Sequence, residues 1–186
     1  MVKLGESFKM SSGGTPLKGV AAYYDRGTIP WLKSGEVAEG FVRHTEEFIT
    51  DKALSESSAK VFPIDSVLVA MYGATAGQVG ILKIDASTNQ AVRGILPNGK
   101  AVPEFLYYYL KAQTQKLVEL SAGGAQPNIS QAIIRNLEFP LPPLATQQAI
   151  VAEIEAEQKL VVANRELISR FEKKIQATLA RIWGEE

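Results

Sequence analysis

Ile154, Val161, Ile168, Ile175 and Ile182 recur at every seventh residue, all β-branched, within a stretch from Leu144 to Trp183 that no glycine or proline interrupts. Ile150, Leu160, Leu167, Phe171 and Leu179 widen that row into an apolar stripe, and Glu, Lys, Arg and Gln fill the other faces. A strict seven-residue repeat drifts around a straight 3.6-residue helix unless the helix supercoils left-handedly about a partner. The spacing therefore predicts a coiled-coil helix roughly 60 Å long. The ~140 residues before it could not cover such a length as an ordinary compact domain. It reads as a rod that pairs with another chain, the alternative being a long amphipathic helix lying on its own domain. Glu157 and Asn164 occupy positions of the repeat that ask for apolar residues, although a buried Asn can fix register at some cost in stability. The expected seam comprises Ile154, Val161, Asn164, Ile168, Phe171, Ile175 and Ile182.

With 186 residues, the chain has room for one ordinary domain ahead of this helix. Twenty basic residues balance twenty acidic ones, which argues against a protein that coats nucleic acid through a general basic excess. Any cationic surface has to be assembled by folding. Cysteine is absent, so there is no disulfide framework and no thiolate zinc site, in keeping with a reducing compartment. The N-terminal MVKLGESFKM lacks an apolar core of signal-peptide length, and no apolar run approaches the ~20 residues needed to span a bilayer. These features lead us to expect a soluble cytoplasmic protein without a membrane partner.

Along the chain, residues 3–9 read as a short strand entering a Ser11-Ser12-Gly13-Gly14-Thr15-Pro16 loop, and Pro30 restricts a strand over Ile29–Leu32 to a sheet edge. Thr50 is placed as the N-cap of a helix over 51–58. The β-branched runs 67–72, 79–84 and 91–96 predict strands, separated by glycine-rich or Pro-Asn-Gly turns. From Pro103 the period changes: Phe105, Leu106, Tyr109, Leu110, Leu117 and Leu120 predict a helix up to Gly123-Gly124. Asn128 or Ser130 caps a further short helix, and Pro140-Leu141-Pro142-Pro143 forces an extended boundary. The fold class is therefore α+β: a mixed α/β domain over 1–143, then one long C-terminal coiled-coil helix over 144–186.

Catalytic patterns are missing. The glycines of Gly73-Ala74-Thr75-Ala76-Gly77-Gln78-Val79-Gly80 match neither the dinucleotide fingerprint nor the P-loop and read as a tight turn. The single histidine, His44, cannot complete a usual zinc set and reads as a surface residue. No Asn/Asp-Pro-Pro-aromatic motif accompanies Pro142-Pro143. Amides and hydroxyls instead crowd the loops: Thr75 and Gln78; Thr88, Asn89 and Gln90 beside Arg93; Gln126, Asn128, Ser130 and Gln131 beside Arg135. Such groups can read base edges or bond phosphates, and they equally well cap turns.

Seven blocks in order complete the sequence picture: Gly13-Gly14-Thr15-Pro16; Ile29-Pro30-Trp31; Glu47-Phe48-Ile49-Thr50 with Ser58-Ala59-Lys60; Gly73-Ala74-Thr75-Ala76-Gly77; Thr88-Asn89-Gln90; Gln126-Pro127-Asn128-Ile129-Ser130; and Pro140-Leu141-Pro142-Pro143-Leu144 with Gln147-Gln148. Together, followed by a long helix, they resemble the specificity subunit of type I restriction-modification systems. The resemblance implies a target recognition domain for double-stranded DNA, followed by a helical conserved region. It also implies no catalysis of the subunit's own: methyltransferase and restriction subunits bind it, and S-adenosylmethionine, ATP and magnesium belong to those partners, leaving no cofactor here. Family members normally carry two recognition domains and two antiparallel helices, where this sequence has one of each, as a natural half-subunit or a fragment of a longer subunit would. A homodimer through the C-terminal helix would supply the missing half. On this resemblance Lys18, Arg26, Lys33 and Arg43 are expected to position phosphates. Base reading is placed among Tyr72, Thr75, Gln78, Asn89, Gln90 and Arg93, and no metal ligands are expected. The competing expectation is a coiled-coil adaptor that binds no DNA.

Overall fold

The computed structural model describes residues 1–121 and 127–184. It divides into two compact units, Met1–Leu144 and Ala145–Glu186. In chain order the elements are β1 (Val2–Lys3), α1 (Leu4–Ser7), β2 (Met10–Ser12), β3 (Ile29–Leu32), β4 (Phe41–Val42), β5 (Glu47–Ile49), α2 (Asp51–Glu56), β6 (Val61–Phe62) and β7 (Val67–Ala70). There follow β8 (Val79–Leu82), β9 (Ala86–Thr88), β10 (Val92–Ile95), α3 (Pro103–Ala112), α4 (Thr114–Glu119), α5 (Gln131–Asn136), β11 (Glu138–Phe139) and α6 (Leu144–Trp183). The fold is thus a mixed α/β domain followed by a single 40-residue helix. No described helix is long and apolar enough to cross a membrane.

Three sheets build the first unit: β2-β10-β7-β8-β4, β5-β3-β9-β6 and the pair β1-β11. The β-branched runs become β7, β8 and β10, buried at every position, as expected of strands covered on both faces. The main core lies where the two larger sheets meet: Leu32 and Phe62 of one pack with Leu68, Ala70, Leu82 and Val92 of the other. Because successive side chains on a strand face opposite ways, Trp31 turns from that core into a second one with Tyr23, Ile49, Ala53 and Ala59. Around Phe139 a third apolar group forms, with the Phe8, Phe105 and Tyr109 rings at 5.9, 5.6 and 5.2 Å.

Several elements depart from the sequence expectation. Residues 3–9 do not form one strand: Leu4–Ser7 is a helical turn closed by a Phe8 N–H to Leu4 C=O bond of 2.9 Å. Leu4 and Phe8 are both buried, four residues apart, as a helical turn allows. Met10–Ser12, expected largely as loop, is instead an edge strand paired with β10. β3 is an interior strand, not an edge. Its proline is tolerated because Pro30 pairs only with Phe48 of β5, while the contact with β9 begins at Trp31, so no ladder bond is lost on that side. The helix after Pro103 breaks at Gln113 into α3 and α4. The Gly123-Gly124 stop lies outside the described residues, as does Gln126.

Capping follows the expected chemistry more closely. Thr50 Oγ1 accepts from Ala53 N–H at 3.2 Å and opens α2, which ends at Glu56 rather than 58. Of the two proposed caps for α5, Ser130 is the one used, its Oγ accepting from Ile133 N–H at 3.3 Å. Asn128 instead forms a β-bridge with Tyr72.

Candidate functional site

Strand direction decides which loops meet. β10 runs antiparallel to both β7 and β2, and β8 runs antiparallel to β7. The C-terminal ends of β2 and β7 and the N-terminal ends of β8 and β10 therefore share one end of the five-stranded sheet. Tyr72, Thr75 and Gln78 occupy the β7–β8 connection, and Asn89 and Gln90 immediately precede β10. Topology thus brings five of the six expected base readers to one end. Tyr72 is 40% exposed, Gln78 and Gln90 are exposed, and Thr75 and Asn89 are partly so. The β7–β8 connection is a turn, as the sequence indicated: Gly73 and Gly77 adopt φ of 73° and 83°, which glycine alone enters readily. It is fastened by Gln78 N–H to Thr75 C=O at 2.9 Å and by Thr114 Oγ1 donating to Gly77 C=O at 2.9 Å.

The ordered sequence blocks explain how this end is held. Gly14 N–H donates to Thr88 C=O at 2.9 Å. A Cβ on Gly13 would come within 2.1 Å of Thr88 Oγ1, and one on Gly14 within 2.4 Å of the Ser58 backbone. Trp31 Nε1 donates to Gly14 C=O at 3.0 Å, and Thr15 Oγ1 bonds Gln90 Oε1. Asn89 N–H donates to Leu32 C=O at 3.0 Å, and its side chain accepts from Ala91 N–H at 3.1 Å. The Gly-Gly-Thr-Pro, Pro-Trp, Ser-Ala-Lys and Thr-Asn-Gln blocks are therefore one junction, in which backbone approaches backbone too closely for side chains. It fixes the Asn89-Gln90 loop against β2.

The sixth expected reader lies at the same sheet end but is turned inward. Arg93, on β10 itself, is only 6% exposed, and its Nη1 donates to Gln131 Oε1 at 2.8 Å and Ser12 Oγ at 3.3 Å. In this position the guanidinium faces Gln131 and Ser12 and is not presented to solvent with the loop residues. The sequence points to Gln131 only as one of the loop amides beside Arg135, and to Ser12 only as part of a small-residue loop. Their meeting depends on the β2–β10 pairing and on the return of α5, which no local pattern encodes.

The four expected phosphate contacts do not form one surface. Lys18 and Arg26 are exposed on the segment between β2 and β3, and Lys18 lines a cleft with Tyr24, Asp25, Glu47 and Phe48. Lys33 follows β3 but is already engaged with Glu46 at 2.8 Å and Glu47 at 3.1 Å. Those hydrogen bonds, Glu46 first, hold its ammonium above the ordinary lysine range. Arg43 follows β4, which runs parallel to β8, and so lies at the opposite end of the sheet from the reader loops. There its guanidinium stands 5.7 Å from the Phe41 ring centroid and donates to Phe41 C=O at 3.4 Å. His44 is exposed. Among the described residues no three of His, Cys, Asp or Glu group as metal ligands would.

In the second unit, α6 keeps its seven-residue row on the outside. Val161 is 47%, Ile168 57%, Phe171 52%, Ile175 57% and Ile182 63% exposed. Asn164 is exposed as well, and Ile154 is half-buried.

A three-sheet α/β unit with polar loops collected at one sheet end, joined to a long helix with an uncovered apolar row, defines a loop-presenting domain with a helical extension. The chain belongs to the type I restriction modification DNA specificity domain family, whose model matches residues 1–167. It is 29% identical over 186 residues to the type I restriction enzyme MjaIX specificity subunit of Methanocaldococcus jannaschii, covering 97% of this chain and 42% of that protein. It is 25% identical over 193 residues to the EcoR124I/EcoR124II specificity subunit of Escherichia coli, covering 91% and 48%. The fold matches the HsdS subunit from Thermoanaerobacter tengcongensis with a TM-score of 0.67 at 23% identity, over 87% of this chain and 38% of that one. It also matches a chain from a structure addressing assembly and conformational transition of the type I R-M system, with a TM-score of 0.71 at 22% identity, over 97% and 42%. The chain spans a little under half the length of the curated relatives it matches.

Proposed function

We propose that this chain is the non-catalytic DNA-recognition component of a type I restriction-modification enzyme and reads one half of a target site. Residues 1–143 serve as the target recognition domain, and 144–186 as the dimerisation and spacer region. The observation that carries this reading is the gathering of Tyr72, Thr75, Gln78, Asn89 and Gln90 at one sheet end, in a chain of the specificity-domain family. Asn and Gln side chains offer a donor and an acceptor in the spacing that adenine presents in the major groove, and Thr and Tyr hydroxyls bond base edges or phosphates. Lys18 and Arg26 are exposed cations suited to the DNA backbone. Lys33 and Arg43 join them only by leaving Glu46 and Glu47, or the Phe41 ring.

A second copy is the proposed cover for the apolar row of α6. Apolar residues left half exposed at a seven-residue period match a coiled-coil seam, and two copies would bring two recognition domains together. Methyltransferase and restriction subunits complete the enzyme in the cytoplasm and bring S-adenosylmethionine, ATP and magnesium. Selection from random duplexes by the purified chain, alone and with its methyltransferase, tests the reading. Enrichment of a defined motif with salt-dependent affinity is expected. A stable dimer that retains no duplex at low salt would instead make the chain an adaptor.

A further inference from the structure

Arg93 is a buried cation without an anion. Its Nη1 reaches two neutral acceptors, Gln131 and Ser12, and its buried Nε has no hydrogen-bond partner. Among the described residues it takes part in no ion pair. The charge that acts on it is a second cation, Arg135, which together with the larger effect of burial holds its pKa below the usual arginine value. Neutral acceptors return only part of the solvation that a buried guanidinium gives up. A site so arranged is short of one negative charge.

The groups around it are set to receive that charge. Ser12 and Arg93 are direct cross-strand partners, so their side chains share a face. Ser12 Oγ accepts from Arg93 at 3.3 Å and from Gln131 Nε2 at 3.2 Å. With both bonds incoming, its own proton remains to be donated. Gln131 and Arg135 stand four residues apart on α5 and therefore on one helix face. Both are exposed. The stem of Arg135 is seated over Gly5, where a Cβ would come within 2.8 Å of Arg135 Cβ. Lys60 is not part of the group, because it bonds Ser11, which faces the other side of β2.

We propose that Ser12, Gln131 and Arg135, backed by the buried Arg93, form a cradle for one backbone phosphate of the duplex. The inference rests on the DNA reading above and adds to it an anchor beside the reader loops, since Ser12 closes β2 and Arg93 lies near the start of β10 at that same sheet end. Ser12 and Arg135 donate to the phosphate oxygens, and Arg93 supplies charge from inside the fold. Such a contact fixes register without reading sequence.

The test compares the full-length chain with Arg135→Gln, an exposed substitution that leaves the core untouched, by measuring duplex affinity against salt. The loss should be the same fold-change on the selected motif and on a mixed-sequence duplex. The slope of log K against log salt should fall by about 0.9 for the one phosphate contact removed. Lys100→Gln, an exposed change beyond the opposite end of β10, should keep the wild-type slope. An unchanged slope in Arg135→Gln, or an equal fall in Lys100→Gln, overturns the cradle while leaving DNA recognition standing. A wild-type chain that retains no duplex overturns both. Arg93→Lys provides the second variant: it keeps the charge but loses the fork to Gln131 and Ser12, and it should weaken all duplexes equally with little change in slope. A loss confined to the selected motif would make Arg93 part of base reading and overturn the assignment.

Discussion

Gln78 and Gly13 stand for the two kinds of residue at the loop end, those that can touch a ligand and those that hold them in place. Gln78 is exposed at the foot of the β7–β8 turn and only its backbone is tied down, its N–H donating to Thr75 C=O and its C=O accepting from Ala70 N–H, so Gln78→Ala should leave folding unchanged. As a base reader it should lose about 1–3 kcal/mol on the selected duplex and nothing on a scrambled one; an equal loss on both would reassign it to the backbone. Gly13 is the reverse case. A methyl group there meets Thr88 Oγ1 at 2.1 Å and the Thr88 carbonyl at 2.3 Å, and neither can retreat without moving the Asn89-Gln90 loop. Gly13→Ala should therefore cost about 1–3 kcal/mol in urea unfolding, the usual range for overpacking. Selectivity should suffer even where the variant folds, because the displaced loop carries two of the proposed readers. Wild-type stability in Gly13→Ala would show that the junction is looser than its contacts indicate.

At the level of elements, what was readable in the sequence depended on whether the deciding interactions were local. The long helix was readable because seven-residue spacing over 40 residues is repeated evidence for one period. The strands β7, β8 and β10 were readable because buried central strands become unbroken β-branched runs. The N-terminal segment was not, since Leu4–Ser7 is fixed by Leu4 N–H to Leu137 C=O at 3.0 Å and by packing against α5, interactions more than a hundred residues distant. β3 is interior despite its proline because its pairing with β9 begins only at Trp31, a register that the local sequence does not carry. Thr75, Gln78, Asn89 and Gln90 read as polar loop residues in the sequence and Tyr72 as the end of a strand, but nothing local indicates that they meet, or that Arg93 turns inward. For α6 the expected outcome follows from the exposed row. Ile168 is 57% exposed, so Ile168→Asp should not unfold the chain, and at the centre of a coiled-coil seam it should convert dimer to monomer in sedimentation. A dimer that survives the substitution, or a parent that is monomeric, would remove the second copy from the proposal.

For the whole molecule, symmetry makes the sharpest demand. Residues 1–186 hold one set of proposed reader loops, and closed pairing of two identical helices is isologous, which relates the two sets by a dyad. Identical readers related by a dyad recognise the same bases on opposite strands, so the selected motif should be an inverted repeat. A helix of about 60 Å set against about 34–36 Å per turn of DNA places the half-sites roughly one to two turns apart. Ile168→Asp then separates symmetry from reading. The monomer should enrich a single half-site, with weaker affinity because the second contact is no longer intramolecular, and the preference for a fixed spacer should disappear. Because the proposed base readers lie in the loops of the first unit, the bases chosen within each half-site should be the same for parent and variant. An asymmetric bipartite motif from the parent chain would contradict the dyad even if dimerisation and DNA binding were both observed. It would require a second, different recognition domain to stand beside this one.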